Sequence, residues 1–493
     1  MGKLVIALDL GTTGNRCVAF DGACQPVAQA YAEFEQHFPN PGWVEHDPEE
    51  IWQTTLECIR QVVEQIDVAD VAAIGITNQR ETTVVWDRET GRPVCNAIVW
   101  QCRRTAQRCA ELKAVHGQAV HEKTGLVVDA YFSATKIAWI LENVDGARAL
   151  ADRGRLLFGT VDTWVLWKLT AGRTHATDVS NASRTLLFNI VEGRWDPELV
   201  ALFGTAGATL PEVRPSMSEF GLTDPSLLGR EVPITGILGD QQAALFGQAC
   251  TTRDQVKNTY GTGLFLLVNT GTEAVLTDRL VTTVAWQKEG EPIQYAIEGS
   301  VFVGGAAIQW LRDGLAILSS APESEVMAGE LGDNEGVYFV PALVGLGAPY
   351  WDSTARGAIL GLTLGTTRSH LARAAIEAMA YQTRDVVEAM QGELGSPIAR
   401  IQADGGATAN DLLMQFQADI LGVPVERSAM AETTAAGVAG AAGVAVGLWS
   451  VEEFQGRRKV DRVFEPRMAE VDRERLYTKW LDAIGRARGW HEE

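Results

Sequence analysis

The chain has 493 residues, a formal net charge of −21, 46% hydrophobic and 21% charged side chains, the balance of a folded globular protein too long for one core, since cores stop growing at about 250–300 residues. The acid excess excludes a nucleic-acid or anionic-membrane partner, which needs clustered Lys and Arg, and solubility is its simplest use. An anionic nucleotide would have to be bound through local amide donors, a few cations and a metal ion carried in with it.

The cysteines (Cys17, Cys24, Cys58, Cys95, Cys102, Cys109 and Cys250) are odd in number and form no C-x-x-C pair, so neither a disulfide framework nor a zinc site is indicated. The N-terminus carries no basic run ahead of an apolar one, and no apolar stretch approaches the ~20 residues that span a bilayer. Reduced thiols and a cytoplasmic location are the expectation.

In chain order, Leu4–Leu10 and Cys17–Phe20, joined by Gly11-Thr12-Thr13-Gly14-Asn15-Arg16, read as a hairpin. Ala72–Thr77 and Thr82–Trp86 follow as buried strands, Ala134–Asn143 as a helix, and Val232–Leu238 as a strand running into Gly239-Asp240-Gln241. Thr251–Asp254 breaks the Ala-rich segment that follows, which places a join near Cys250 and predicts two domains, 1–250 and 251–493. Val256–Val268 repeats the pattern of strand, Gly-Thr turn and strand around Gly261-Thr262-Gly263. Two halves that each open on such a hairpin predict an internally duplicated architecture with a cleft between them. Further on, Ser369 is the expected N-cap of a helix reaching about Met390, with Leu371, Ala375, Ala378, Met379 and Gln382 near a 3.6-residue period. Arg400–Ala403 reads as a strand entering the turn Asp404–Asn410. Thr433–Leu448, short and built of small residues, predicts a closely packed core helix rather than a membrane or dimerisation segment.

No G-x-x-x-x-G-K-S/T motif occurs, so a P-loop is excluded and nucleotide binding would rest on the hairpins. Gly11–Gly14 suits that work, because small residues let the backbone approach, turn amides converge on an anion and two hydroxyls add donors. Asp9, just before the turn, could hold Mg²⁺ directly or through its waters, or simply cap the turn. Asp240 could be a base at a strand-to-helix junction, although an N-cap worth about 1 kcal/mol is the reading that position alone favours. Phosphoryl transfer to an alcohol needs a base, a metal on the phosphates and donors on the transferring group, and Asp240, Asp9 and the Gly-Thr turns could supply them. Gln79-Arg80-Glu81-Thr82 sets a fork of donors beside a carboxylate, suited to gripping hydroxyls or, equally, to a surface ion pair of small worth. Asp404-Gly405-Gly406-Ala407 with Asn410 could admit a nucleoside, or be a strand turn with no ligand.

Taken together, Asp9–Thr13, Thr77–Thr82, Tyr131–Trp139, Gly239–Ala244, Tyr260–Gly263, Gly305–Trp310 and Asp404–Asn410 resemble the glycerol-phosphorylating branch of the FGGY family of carbohydrate kinases. The second family signature also matches, at Gly357–Leu362, His370-Leu371 and Ala374–Glu377, and the resemblance runs from residue 4 to about 465. It implies an α/β, actin-like ATPase fold, with two ribonuclease H-like domains closing around MgATP and the acceptor. It implies a glycerol site of Arg80, Glu81, Tyr131, Asp240 and Gln241 flanked by Trp100 and Phe265, with Asp240 as base and with Asp9 and Asp240 at the metal. Nucleotide contacts would fall on Thr12, Thr13, Gly14 and Arg16 in the first domain and on Thr262, Gly305, Gln309, Gly406 and Asn410 in the second. A homo-oligomer, dimer or tetramer, is expected.

Departures from the family pattern are Leu10 for Gln, Gly14 and Asn15 for a pair of Ser, and Ala130 for Pro. Two hydroxyl donors are missing from the first turn, which predicts phosphate contacts shifted to backbone. Asp224–Arg230 lacks the glycine-rich loop with lysine, and the histidine, through which some members are regulated, so neither control is expected. Another FGGY kinase acting on a ketose or longer polyol, and an ATP-binding regulator on an actin-like fold, are the competing readings.

Overall fold

The computed structural model describes residues 3–490. Strands β1 (Leu4–Leu10) and β2 (Gly14–Phe20) form the first hairpin, with Leu10 opposite Asn15, and β3 (Pro26–Glu33) continues the meander. On the other edge of β1, β4 (Val71–Asn78) pairs in parallel; beyond it lie β5 (Met217–Leu222) and β6 (Pro233–Gly239), β6 parallel to β4 and β5 antiparallel to β6. The order is β5-β6-β4-β1-β2-β3. Its central strands are continuous apolar runs because both faces are covered. Helix α1 (Pro48–Val63) lies on one face. Its Asp47 cap accepts the Glu49 amide at 2.8 Å, and Ile51, Trp52, Leu56, Ile59 and Val62 point inward at helical spacing.

The second sheet contains β7 (Val256–Tyr260), β8 (Leu264–Gly271), β9 (Val281–Trp286), β10 (Gln294–Val301), β11 (Ile401–Asp404), β12 (Val425–Ser428) and β13 (Val460–Phe464) in the order β9-β10-β8-β7-β11-β12-β13. In both sheets an antiparallel meander of three strands is followed by two parallel ones, as β3-β2-β1-β4-β6 and β10-β8-β7-β11-β12. The repeated Gly-Thr hairpins are the same element of two copies of one topology.

Helix α2 (Asp240–Gly247) leaves β6 directly. Helix α3 runs Arg368–Leu394, one turn longer at its C-terminal end than expected and stopped by Gly395 in the left-handed region. Its cap is Thr367, not Ser369. The Thr367 and His370 side chains form the reciprocal capping box, and Ser369 instead donates to Glu330 at 3.0 Å. Helix α4 (Asp411–Leu421) follows β11, and α5 (Thr433–Ala445) follows β12.

Although it comes late in the chain, α5 packs on β1, β4 and β6 of the first sheet and on α2. Its composition explains how. A Cβ on Gly437 would stand 1.8 Å from the Ala243 carbonyl oxygen of α2, and one on Gly236 of the sheet 2.7 Å from the Ala442 nitrogen of α5. Val5, Ala7, Val18 and Leu238 of the first sheet, Leu267, Ala285 and Ala296 of the second, and Ala435, Val438 and Ala442 of α5 share one core cluster. The two sheets are thus joined by buried apolar contact. Among the described residues no helix is long and apolar enough to cross a membrane.

Two substitutions test the packing with opposite signs. Gly437→Ala forces overlap with backbone and should cost about 1–3 kcal/mol in urea unfolding, whereas Gly392→Ala, in α3 with nothing near its added methyl, should gain about 0.5–1 kcal/mol. Equal midpoints for the two variants would contradict the crossing described.

Candidate active site

The C-terminal ends of β1, β4 and β6 bring together residues far apart in the chain. Asp9 stands opposite Thr77, and Gly239 opposite Asn78, so Asp9, the loop Gln79–Thr82 and Asp240 emerge at one edge. Facing them, Lys257, Leu267 and Glu298 lie in one row across β7, β8 and β10 of the second sheet.

Arg80 is buried at 3% exposure. Its Nη1 donates to Glu298 Oε2 at 2.5 Å and its Nη2 to Glu298 Oε1 at 3.1 Å, a bidentate pair reaching from one sheet to the other. Nη2 also donates to the Tyr131 hydroxyl at 3.3 Å, and Nε lies 3.1 Å from Asp240 Oδ1. Gly239 makes room for it: a Cβ there would be 2.7 Å from Arg80 Cδ. A second buried guanidinium, Arg184, donates to Glu81 Oε1 at 2.7 Å and to Glu298 Oε1 at 3.0 Å. Two cations and two anions thus compensate one another without solvent. Burial alone would push Glu298 up, but Arg184 and Arg80 hold it down at about 2. For Glu81 burial prevails over the two arginines and its carboxyl is raised. Glu81 is held at φ 61°, a left-handed conformation uncommon for a residue with a side chain.

Asp240 opens α2, with 32% of its side chain exposed. Oδ1 takes Arg80 Nε and the Gln241 amide at 2.7 Å, while Oδ2 has no hydrogen-bond partner among the described residues. The Gln241 side chain accepts from Lys257 Nζ, which also donates to Thr259 Oγ1 at 2.9 Å and to the Phe265 carbonyl at 3.1 Å. Above this polar floor the Trp100 ring meets Tyr131 edge-on at 5.7 Å and Phe265 of β8 at 6.4 Å. The structure therefore gathers Arg80, Glu81, Tyr131, Asp240, Gln241, Trp100 and Phe265 into one site with walls from both sheets.

At the first turn the Gly11 amide closes on the Gly14 carbonyl at 3.1 Å, and Thr12 Oγ1 accepts from Trp100 Nε1 at 3.0 Å. Arg16 points to the cleft face but is ion-paired with Glu432, just before α5. Asp9, beside it, is raised to about 7 by burial, opposed by Arg16 and reinforced by the Asp240 and Glu432 carboxylates. Asn15, by contrast, points away from the turn, donating to the Ile51 carbonyl at 2.9 Å and to Thr54 and Thr55 on α1.

In the second domain Thr262, Gly305, Gln309, Gly406 and Asn410 all line one cleft of about 340 Å³, together with Ile308 and Leu413. The Gly305 amide donates to the Gly261 carbonyl at 2.9 Å, and Gly405 at φ 92° passes so close to Tyr260 that no side chain fits. Asn410 spends its carboxamide oxygen capping α4 through the Leu413 amide at 2.8 Å, and its NH₂ group has no partner among the described residues.

Glu298, Arg184, Lys257 and Glu432 escaped the sequence reading. The signal available for two of them was a charge inside an otherwise strand-like apolar run, Lys257 after Val256 and Glu298 after Ile297, since such charges are retained in a core only when paired. Glu298→Ala leaves two buried guanidinium groups under-compensated and should cost about 3–5 kcal/mol in chemical denaturation. Glu298→Gln, which keeps the shape, should lose most of the same; a wild-type midpoint for Glu298→Gln would show that volume rather than charge matters there.

Residues 4–247 match the N-terminal domain, and residues 256–446 the C-terminal domain, of the FGGY family of carbohydrate kinases. A glycerol kinase of Carboxydothermus hydrogenoformans is 58% identical over 497 residues, covering 100% of this chain and 99% of that protein. The crystal structure of Plasmodium falciparum glycerol kinase with ADP superposes with a TM-score of 0.91 at 35% identity, covering 99% of this chain and 98% of that one. A xylulose kinase of Lactobacillus acidophilus shares the fold, with a TM-score of 0.86 at 21% identity over 98% of this chain and 97% of its own. The sheets, the cleft and these likenesses agree: the chain belongs to the FGGY family of carbohydrate kinases.

Proposed function

We propose that this chain transfers the γ-phosphoryl group of ATP to a terminal hydroxyl of glycerol, giving ADP and glycerol 3-phosphate. The observation that carries the reading is the state of Asp240. Alone among the clustered carboxylates Asp240, Glu81 and Glu298 it is partly open to the cleft, with one oxygen fixed by Arg80 and the Gln241 amide and the other free. A hydroxyl oxygen delivered to that site attacks the γ-phosphorus as the bond to the β-phosphate oxygen breaks, and its proton passes to Asp240 Oδ2. Arg80, Glu81, Tyr131 and Gln241 grip the hydroxyls, while Trp100 and Phe265 cover the carbon side. A triol engages several of these groups at once, and an analogue lacking a hydroxyl leaves one unpaired. Named glycerol kinases aligned over their full lengths support this acceptor.

Thr12, Thr13, Gly14 and Arg16 receive the phosphates, and Thr262, Gly305, Gln309, Gly406 and Asn410 the nucleoside. Phosphates on one domain and base on the other explain the need for closure, which also excludes water as a rival acceptor. Asp9 and Asp240 emerge at the same edge of the first sheet, and Asp240 Oδ2 has no partner among the described residues, a carboxylate pair that would hold a divalent cation directly or through water; when bound, Mg²⁺ supplies neutralisation of phosphate charge. A cytoplasmic homo-oligomer, dimer or tetramer, belongs to the same reading, and the unpaired thiols suit a reducing compartment.

Asp240→Asn should lower transfer by at least about 100-fold, the low end of general-base effects, with ADP binding by calorimetry near wild type; near wild-type ADP release would remove Asp240 as base. In an ADP-release assay with glycerol, dihydroxyacetone, xylulose, ribulose and erythritol, glycerol should be turned over fastest. Preference for xylulose would move the reading to a ketose kinase, and no acceptor dependence at all would favour a non-catalytic regulator. Fructose 1,6-bisphosphate should not inhibit at micromolar concentration, because Arg230, the one cation of 224–230, is committed to the Val68, Ala69 and Val71 carbonyls. Inhibition would reverse that expectation.

A further inference from the structure

The first turn lacks the side-chain hydroxyls that the family commonly carries after the two threonines, and neither position can recover one. Asn15 is turned into α1 by three hydrogen bonds. Gly14 points to the cleft face, but its side-chain space is already filled: a Cβ there would lie 2.6 Å from the Ala32 carbonyl oxygen, 2.7 Å from the Tyr31 hydroxyl oxygen and 2.9 Å from Tyr31 Cζ. The Tyr31 hydroxyl thus occupies the position from which a residue 14 side chain would act.

Strand register explains the placement. Asp9 faces Arg16 across β1 and β2, and Arg16 faces Tyr31 across β2 and β3. Opposed residues share a face of a sheet, so Asp9, Arg16 and Tyr31 form a row on the cleft side, with Gly14 two residues before Arg16 on that same side. The Arg16 guanidinium lies 5.3 Å from the centre of the Tyr31 ring, a cation–π distance that ties the phenol to the turn. The side chain is half-exposed, and its hydroxyl has no hydrogen-bond partner among the described residues.

We propose that Tyr31 is a phosphate-binding residue of this chain, its phenolic O–H donating to a β- or γ-phosphate oxygen of the nucleotide in place of the missing turn hydroxyl. The proposal rests on Gly11–Gly14 being the phosphate cradle. The Ala32 carbonyl oxygen and the Tyr31 hydroxyl together leave no room for a side chain at Gly14, and the proposal replaces the expectation that backbone amides alone make up the loss. A phenol keeps only one polar atom, at the end of a rigid ring, so the donor is held with little loss of rotamer freedom.

Tyr31→Phe removes the donor and keeps the ring beneath Arg16. ATP and ADP affinity, by calorimetry, should fall about tenfold, the scale of one hydrogen bond to a charged group. Adenosine affinity, the KM for glycerol and the melting temperature should not change. Thr13→Ala, tested beside it, reports on the cradle. Weak ATP binding by Thr13→Ala with wild-type binding by Tyr31→Phe overturns the role of Tyr31 and leaves the cradle standing. Wild-type binding by both removes the cradle, and Tyr31 with it. Equal loss of ATP and adenosine affinity in Tyr31→Phe would also overturn the proposal, since it would mark a packing effect.

Discussion

The bidentate pair between Arg80 and Glu298 is the contact on which the site depends. Taking two ions out of water costs several kcal/mol each unless geometry and further hydrogen bonds compensate. Here Arg184, Tyr131 and Ser300 supply those bonds, and Glu81 in turn accepts from Arg184. One partner belongs to the loop after β4 and the other to the middle of β10, so the charge balance cannot be completed within either sheet alone. Gly239 has no side chain because the Arg80 stem takes its space, and Glu81 accepts a strained φ because its carboxylate must face Arg184. Local irregularities in two segments, at Gly239 and at Glu81, trace to one buried charge cluster.

The same dependence of one half on the other recurs in the packing. Helix α5 crosses to the first sheet through glycines on both sides of the contact, and the core cluster it enters draws on both sheets. Leu267 belongs to that cluster and sits between Lys257 and Glu298 in the row across the second sheet. An apolar anchor is therefore flanked by the two charges that reach Gln241 and Arg80. Position in the sheet sets the aim of all three.

Much of the fold was legible because it is written in local pattern. The two hairpins, the strand entering Asp240 and the small-residue helix at Thr433 all carry turn chemistry or composition that acts over a few residues. The cap of α3 was misplaced by two residues because Ser369 and Thr367 are both good caps, and His370 decided between them. Within the site, Asp9, Arg80, Asp240 and the turn glycines were visible in short motifs. Glu298, Arg184 and Glu432 were not, because each acquires its meaning from a partner more than 100 residues away, and no window of sequence contains both. Gly14 was legible only as a loss; the strand register that brings Tyr31 over it is a property of three paired strands.

The ion pair between Arg16 and Glu432 has a bearing on how a nucleotide would be recognised. A cation already neutralised by a carboxylate is a poor lure for anions at large, and in a chain of charge −21 it leaves inorganic phosphate or a small organic acid with little to gain on entering. Under the proposed reading a nucleotide would do better, because its base and ribose would settle in the second domain's cleft and its phosphates would then compete with Glu432 as a tethered rather than a dissolved anion. On that reading the carboxylate at the start of α5 would act as a threshold: anchorage elsewhere would be the condition for displacing it, and a phosphate site there would gain discrimination without gaining a single additional donor.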